Sequence, residues 1–577
     1  MAFHHLLGGG SNKLNLTPPP QKPVGRNYKW IALSNTTLGA FIGFVNGTSI
    51  MIALPAIFRG IELNPMTPGN FAYLLWIIMG YMLAQAVLVV SLGRVGDMFG
   101  RVKMYNLGFV IFTVSSILLS ITWSTGPAGA IELIVFRIIQ AIGGAFLLAN
   151  SAAILTDAFP ANQRGFALGI NMVAAIAGSF IGLIMGGLLA EVGWRWVFIA
   201  NIPFGLAGTI WAYFALREIG VHKAARIDWM GNLTFAAGLT LLLIGIVFGI
   251  APSDRSAMAW TSPVVLGLIA GGVALLVLFV ITELRIKEPM FRMSLFRIRA
   301  FAAGNIAGIL SSIGRGGLQL MLVIWLQGIW LPLHGYSFEV TPLWAGIYML
   351  PIAAGFLVAG PVSGRLSDIY GSRVLATLGM LLTAVTFALL MMIPIDFSYP
   401  VFALIIFLNG IASGLFISPN TAAIMNSVPA ESRGVASGMR AAFVNVGTPL
   451  SIALYFSLMA AGLSATVPQS LYNGLTQNGV SIQVAEHLAS LPAIGYLFAA
   501  MMGYNPLSSL LGPGVLSSLP PDVAVKIAGR TFFPELIAGP FHTGFMIVML
   551  FSIVICLGAA AASWMRGGKY IHKETVG

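Results

Sequence analysis

Gly93-Arg-Val-Gly-Asp97-Met-Phe-Gly100-Arg101 returns later in the chain as Gly364-Arg-Leu-Ser-Asp368-Ile-Tyr-Gly371, an offset of 271. A second, unrelated motif repeats at almost the same distance. Pro160-Ala-Asn-Gln-Arg164-Gly165 reappears as Pro429-Ala-Glu-Ser-Arg433-Gly434, an offset of 269. Two motifs recurring at one spacing mark an internal duplication, and each copy sits in a short polar break between long apolar runs.

Working outward from these breaks, the chain is too apolar for a soluble protein. Of 577 residues, 58% are hydrophobic and 8% charged, whereas soluble domains carry about a quarter charged residues. A bilayer-spanning helix needs roughly 20 apolar residues. Runs of that kind lie at 30–54, 72–92, 105–122, 130–155, 165–190, 196–216, 231–250 and 262–283, then at 300–327, 343–366, 373–393, 400–425, 434–462 and 542–565. The fold class is therefore an all-α polytopic membrane protein of 14 spans. With the N-terminus inside, the tails, inward loops and inward span ends hold 23 of the 30 Lys and Arg residues, the bias expected of cytoplasmic loops. The outward loops hold Arg59, Arg195, Arg255, Lys526 and Arg530, while Arg137 and Arg315 fall within spans. Both termini are then cytoplasmic in a plasma (inner) membrane protein.

Both copies of each motif fall on the inward side, so the two halves share one orientation, as in transporters built from parallel repeats. The expected division is a disordered tail at 1–29, a six-helix bundle at 30–216, two inserted helices and a linker at 217–299, a second six-helix bundle at 300–565, and a tail at 566–577. The outward segment 463–541 contains only about ten unbroken apolar residues, Ala493 to Met502, bracketed by Pro492 and Pro506. That is too short to span, so the segment is expected to lie as helices over the outer face.

Composition also narrows the function. A net charge of +12 raises nucleic acid as a partner, but the basic residues are scattered between apolar runs instead of forming a patch. The single cysteine, Cys556, excludes disulfides within the chain. The N-terminal tail lacks the apolar core of a signal peptide, and its adjacent His4 and His5 read as tail residues. No phosphate-binding Gly-x-x-x-x-Gly-Lys-Ser/Thr loop occurs, which disfavours ATP-driven pumping. Histidines fall at 4, 5, 222, 334, 487, 542 and 572, in tails, loops or a span edge. That spread does not suit an intramembrane enzyme or a metal centre. No cofactor is expected.

The loop from Gly93 to Lys103 resembles the signature loop between helices two and three of the major facilitator superfamily. Arg137-Ile-Ile-Gln140-Ala-Ile-Gly143 resembles that superfamily's helix-four motif. Trp194-Arg195-Trp196-Val-Phe198-Ile-Ala-Asn201-Ile-Pro203 is similar to the fourteen-helix drug:proton antiporter family, as are Trp325-Leu-Gln327, Ala345-Gly346 and Leu350-Pro351. The resemblance covers about residues 30–460. It implies a major facilitator fold of two six-helix bundles plus two inserted helices. It further implies a small-molecule substrate, protons as coupling ion, and a monomer working in the lipid bilayer.

The resemblance assigns Gly93, Asp97, Gly100, Arg101 and the repeat's Asp368 to a latch between the halves. The alternative is a short loop whose basic residues only set topology. Arg137 lies inside an apolar run, and in the family this arginine is implicated in proton movement. A charge at mid-membrane costs about 2.5–3.5 kcal/mol on insertion scales, so it must either face the cavity with a partner or be satisfied by carbonyls at a helix crossing. Arg315 is a second such charge. With Asn46, Gln140, Gln319 and Gln327 these two form the expected transport pathway, with Phe41, Asn171 and Trp325 as further lining candidates. Gly178, Gly182, Gly186 and Gly187 form a small-residue face for close packing, although Leu183 stands where the family has proline. In helix one the family's aspartate is replaced by Asn46, which cannot titrate. All 18 Asp and Glu residues fall in loops or at span ends, and Glu132, Asp157, Glu191 and Glu339 are the nearest edge carboxylates. The expected function is export of hydrophobic or amphipathic molecules by alternating access. A facilitator or importer of the same fold without proton coupling is the alternative.

Overall fold

The computed structural model describes residues 27–64, 67, 70–160, 163–219, 228–250, 259–286, 289–429, 432–502 and 505–567. Most of the two expected tails, 1–26 and 568–577, lies outside the described residues. Among the described residues, fourteen helices are long and apolar enough to cross a membrane. The first half comprises α1 (Tyr28–Gly60), α2 (Asn70–Phe99), α3 (Arg101–Ser120), α4 (Gly126–Ala158), α5 (Arg164–Val192) and α6 (Asn201–Ala215). An inserted pair follows, α7 (Trp229–Ile250) and α8 (Pro263–Glu283). The second half comprises α9 (Arg299–Leu333), α10 (Thr341–Ser367), α11 (Ser372–Met392), α12 (Tyr399–Asn426), α13 (Arg433–Gln477) and α14 (Phe532–Trp564). Within lipid a segment of about 20 apolar residues satisfies its own backbone only as a helix, and no strand occurs among the described residues.

Fourteen crossings return the chain to the side it started from. Contacts follow that alternation: Tyr28 Oη donates to Arg217 O at 2.8 Å and Arg299 Nε to Met565 O at 2.6 Å. These mark one face, here the terminal face. The opposite face carries Gly126 N donating to Ile61 O at 2.6 Å.

The duplication is visible in the backbone. Gly100 and Gly371, matching positions in the two copies of the first motif, both adopt positive φ (106° and 81°) and start α3 and α11 respectively. An L side chain is strained there, so these two glycines make the sharp reversal that each signature loop needs. The two helices that bear other quoted motifs are irregular. α9 breaks after Arg315 at Gly316 and passes through a π turn at Leu326–Trp330. α10 breaks at Met349, just before Leu350-Pro351. Such interruptions cluster at functional sites in membrane helices.

Segment 463–541 differs from its expected form. α13 runs past 462 to Gln477, and α14 begins at Phe532 instead of 542. Between them lie short helices at Ile482–Ala489, Ala493–Met501, Leu507–Ser518 and Pro521–Ala528. Ala493–Met501 is not on the surface: Tyr496 through Met502 are 0–2% exposed. Phe498 stacks on Phe456 of α13 at 5.5 Å, and Arg59 of α1 donates to Met502 O at 2.8 Å. A ten-residue apolar run is too short to span but apolar enough to bury, so it wedges between the halves at the opposite face.

Candidate functional site

A connected polar core lies inside the first half. Asn46 Nδ2 (α1) donates to Gln140 Oε1 (α4) at 3.2 Å, and Arg137 Nη1 donates to the same oxygen at 2.6 Å. Gln140 Nε2 donates to Ser116 Oγ (α3) at 2.9 Å. Asn201 Nδ2, from the Trp194–Pro203 motif, donates to Asn46 Oδ1 at 3.3 Å. The Arg137 guanidinium also donates to Ile77 O at 3.4 Å and lies 4.1 Å from the Tyr81 ring centroid, a cation–π arrangement. Asn46 and Gln140 are fully buried and Arg137 is 2% exposed. Each named partner of this guanidinium is neutral. Spacing explains the assembly: Arg137 and Gln140, three apart on α4, share one helix face.

The second half repeats the core with its charge relocated. Asn409, which matches Gln140 at the offset of the second motif, donates from Nδ2 to Thr386 Oγ1 at 2.8 Å. Thr386 in turn matches Ser116, at an offset between those of the two motifs. Carried through the second motif's offset, Arg137 falls on Ile406 and Asn46 on Arg315. Arg315 Nη2 donates to Ser413 Oγ, while its Nε and Gln319 Nε2 are buried without a partner. Each half thus holds a buried guanidinium against neutral groups, Arg137 on α4 against the Gln140 amide in one and Arg315 on the first helix against the Ser413 hydroxyl in the other.

Gln327 Nε2 donates across the halves to Ile52 O at 3.4 Å. Trp325 is 1% exposed, with ring centroids of Phe545 at 4.8 Å and Phe397 at 5.0 Å. Phe41 lines a small cleft with Ser49, Asn201 and Phe204 between α1, α5 and α6. Asn171 donates to Ser151 Oγ at 3.3 Å.

The helix-five glycines permit close approach to α1. A Cβ on Gly178 would lie 2.6 Å from Phe41 O, one on Gly182 2.6 Å from Val45 O, and one on Gly186 2.6 Å from Ser49 Cα. Gly187 faces the other half: its Cβ would lie 2.7 Å from Leu343 N and 2.9 Å from Pro342 C. The halves therefore close on one another at the opposite face through α5 and α10.

In the signature loop, Arg101 pairs with Asp97 at 2.7 Å and with Asp157 at 2.6 Å. These bridges join α2, α3 and α4 of one half. Gly93 lies in ordinary contact with Ala149, 3.6 Å from a built Cβ. The side chain of Asp368 lies outside the described residues. Arg101→Ala is expected to leave membrane insertion intact and cut transport severalfold, because it unpairs two carboxylates at the mouth of the first half. Normal transport at normal expression would reduce the loop to a topology signal.

Several polar residues were not evident from the linear sequence. Asn409 is found by carrying Gln140 through the repeat offset, whereas Ser116 and Ser413 emerge only as the hydrogen-bond partners of Gln140 and Arg315. Arg440 sits about two turns into α13 with Nε buried and unpartnered. Arg566 donates to Asn420 Oδ1, and burial pushes its guanidinium down to about 10. Among the described residues no His, Cys, Asp or Glu group is arranged to hold a metal ion.

Two bundles related by repeat, joined by an inserted pair and holding buried arginines among neutral groups, define a multi-pass membrane transporter. The profile of the Major Facilitator Superfamily matches residues 36–452, and the chain belongs to that superfamily. It is 28% identical to the riboflavin transporter RibZ of Clostridioides difficile, covering 76% of this chain and 89% of that protein. It is 27% identical to the tetracenomycin C resistance and export protein of Streptomyces glaucescens, covering 87% and 90%. Its fold is similar to a bacterial homologue of the lysosomal transporter Spinster in an inward-facing, unoccupied conformation, with a TM-score of 0.55, 15% identity and 93% and 98% coverage.

Proposed function

We propose that this chain exports amphipathic small molecules bearing an anionic group, by alternating access, as a monomer in the plasma (inner) membrane with its terminal face cytoplasmic. The observation that carries the substrate charge is the Arg137 guanidinium, buried in each of its named contacts against neutral groups. A buried cation without a counter-ion attracts an anion and disfavours a cation. The relative named as an export protein supports the direction.

Proton coupling through a mid-membrane carboxylate has no residue to run on among the described residues. Of the edge carboxylates, Glu132 Oε2 turns back to accept from Ser124 N at 3.2 Å and Asp157 is tied to Arg101. Facilitated movement or import is the second reading, favoured by Asn46 in place of a titrating group and by the relative named as a riboflavin transporter.

Transport by reconstituted vesicles over anionic, neutral and cationic amphiphiles tests the proposal. Anions are expected to move fastest, and collapsing the pH gradient is expected to change the rate little. Asn46→Asp, which places a carboxyl beside Gln140 and one hydrogen bond from Arg137, is expected to introduce dependence on that gradient. Strict proton antiport by the unmodified protein would overturn this reading.

A further inference from the structure

The inserted pair carries a second buried polar cluster, separate from the arginine core. Asp228 immediately precedes α7 and Glu283 is the last residue of α8, so the antiparallel pair brings both carboxyl groups to the terminal face. Their side chains are 6% and 3% exposed. Asp228 is fully engaged: Oδ1 accepts from Gly231 N at 2.7 Å and Oδ2 from Met290 N at 3.3 Å. The first bond caps α7, whose positive N-terminal end favours the anion.

Glu283 is only half satisfied. Its Oε2 accepts from Phe291 N at 2.7 Å, whereas the buried Oε1 has no hydrogen-bond donor. That atom is aimed at Asp228: a Cβ built on Gly231 would collide with both Asp228 Oδ2 and Glu283 Oε1, and the two carboxyls are in hydrogen-bonding reach. Among the described residues, the charges facing Glu283 are Asp228, just before α7, and Arg94 from α2. From α13 the neighbour of the linker is the uncharged Phe443. Among the described residues, one guanidinium against two carboxyls leaves one negative charge uncompensated, and two carboxylates in contact do not both ionise.

We propose that Asp228 and Glu283 form a proton-binding site, the proton residing on Glu283 Oε1 and donated to Asp228 Oδ2, which holds the linker as a strut between the two halves. The carboxyls anchor the linker through the amides of Met290 and Phe291. Phe291 then packs against Phe235 of α7 at 5.7 Å, Phe279 of α8 at 5.4 Å and Phe443 of α13 at 5.3 Å. On the first half, Ser91 donates to Asn232 of α7 and Arg94 to Pro289 O. Losing the proton sets two carboxylates against each other, and their separation takes the two linker amides and the Phe291 ring with it. The site rests on the proposed orientation, in which the terminal face meets the cytoplasm. Transport therefore falls as cytoplasmic pH rises, whether or not a gradient exists.

Infrared difference spectroscopy of the full reconstituted protein tests the site without a substrate. A protonated-carboxyl stretch that disappears on alkalinisation is expected in the unmodified protein, and its absence is expected in Glu283→Gln. Asp228→Asn, which removes the like charge that opposes ionisation of Glu283, is expected to shift loss of the same band to lower pH. No band at any pH, or a band unchanged in Glu283→Gln, overturns the proton site. Transport measured with equal pH on both sides is expected to fall severalfold toward alkaline pH in the unmodified protein and to lose that slope in Glu283→Gln. The same slope in both proteins overturns the strut. A titrating band in a protein that moves no amphiphile at any pH supports the proton site and counts against the export reading.

Discussion

Gly187→Val is expected to cut transport roughly 5- to 150-fold while leaving the protein correctly inserted, the range that about 1–3 kcal/mol of coupling produces. Position 187 lies where α5 meets α10 of the other half, and a Cβ there would sit 2.7 Å from Leu343 N. Backbone does not yield as a side-chain tip does, and overpacking of this kind costs about 1–3 kcal/mol. The cost falls only on the arrangement in which the halves close at this face, so the equilibrium between arrangements shifts away from it. One residue earlier the outcome differs. Gly186 faces α1 within its own half, 2.6 Å from Ser49 Cα, so Gly186→Val is expected to lower expression as well as transport. Expression and initial transport rate for both variants check this, and wild-type rates in Gly187→Val would show that closure does not pass through this contact.

Arg137→Ala is expected to lower transport of anionic amphiphiles roughly 10- to 100-fold, matching the roughly 1.5–3 kcal/mol of a hydrogen bond to a charged group. Neutral amphiphiles are expected to lose much less. Arg137→Lys keeps the charge but not the planar fork that reaches both Gln140 and Ile77 O while lying over Tyr81. It is expected to fall between the two. Equal losses for anionic and neutral substrates would make the arginine a structural tie between α2 and α4.

The fold was legible because lipid allows few solutions. Apolar runs of bilayer length must be helices, and two motifs repeating at offsets of 271 and 269 fix the halves as parallel copies. Helix ends were less legible where a span continues beyond the bilayer length, as α13 does to Gln477. Asn46, Arg137 and Gln140 could be singled out as polar atoms in apolar runs. Their mutual contacts could not, since Asn46 and Gln140 are 94 residues apart.

The sequence by itself determined the membrane class, the span count and the repeat, because these follow from local composition and period. It also determined that no carboxylate lies at mid-span. Tertiary structure alone decided which partners the buried arginines find, that Arg101 binds Asp97 and Asp157 within one half, and that Ala493–Met501 is buried between the halves. It alone placed Asp228 against Glu283, at the far end of the inserted pair in the chain. Pairings at such distances depend on how helices pack, and inside lipid that packing is chosen by small residues and polar contacts, not by the hydrophobicity that dominates the linear pattern.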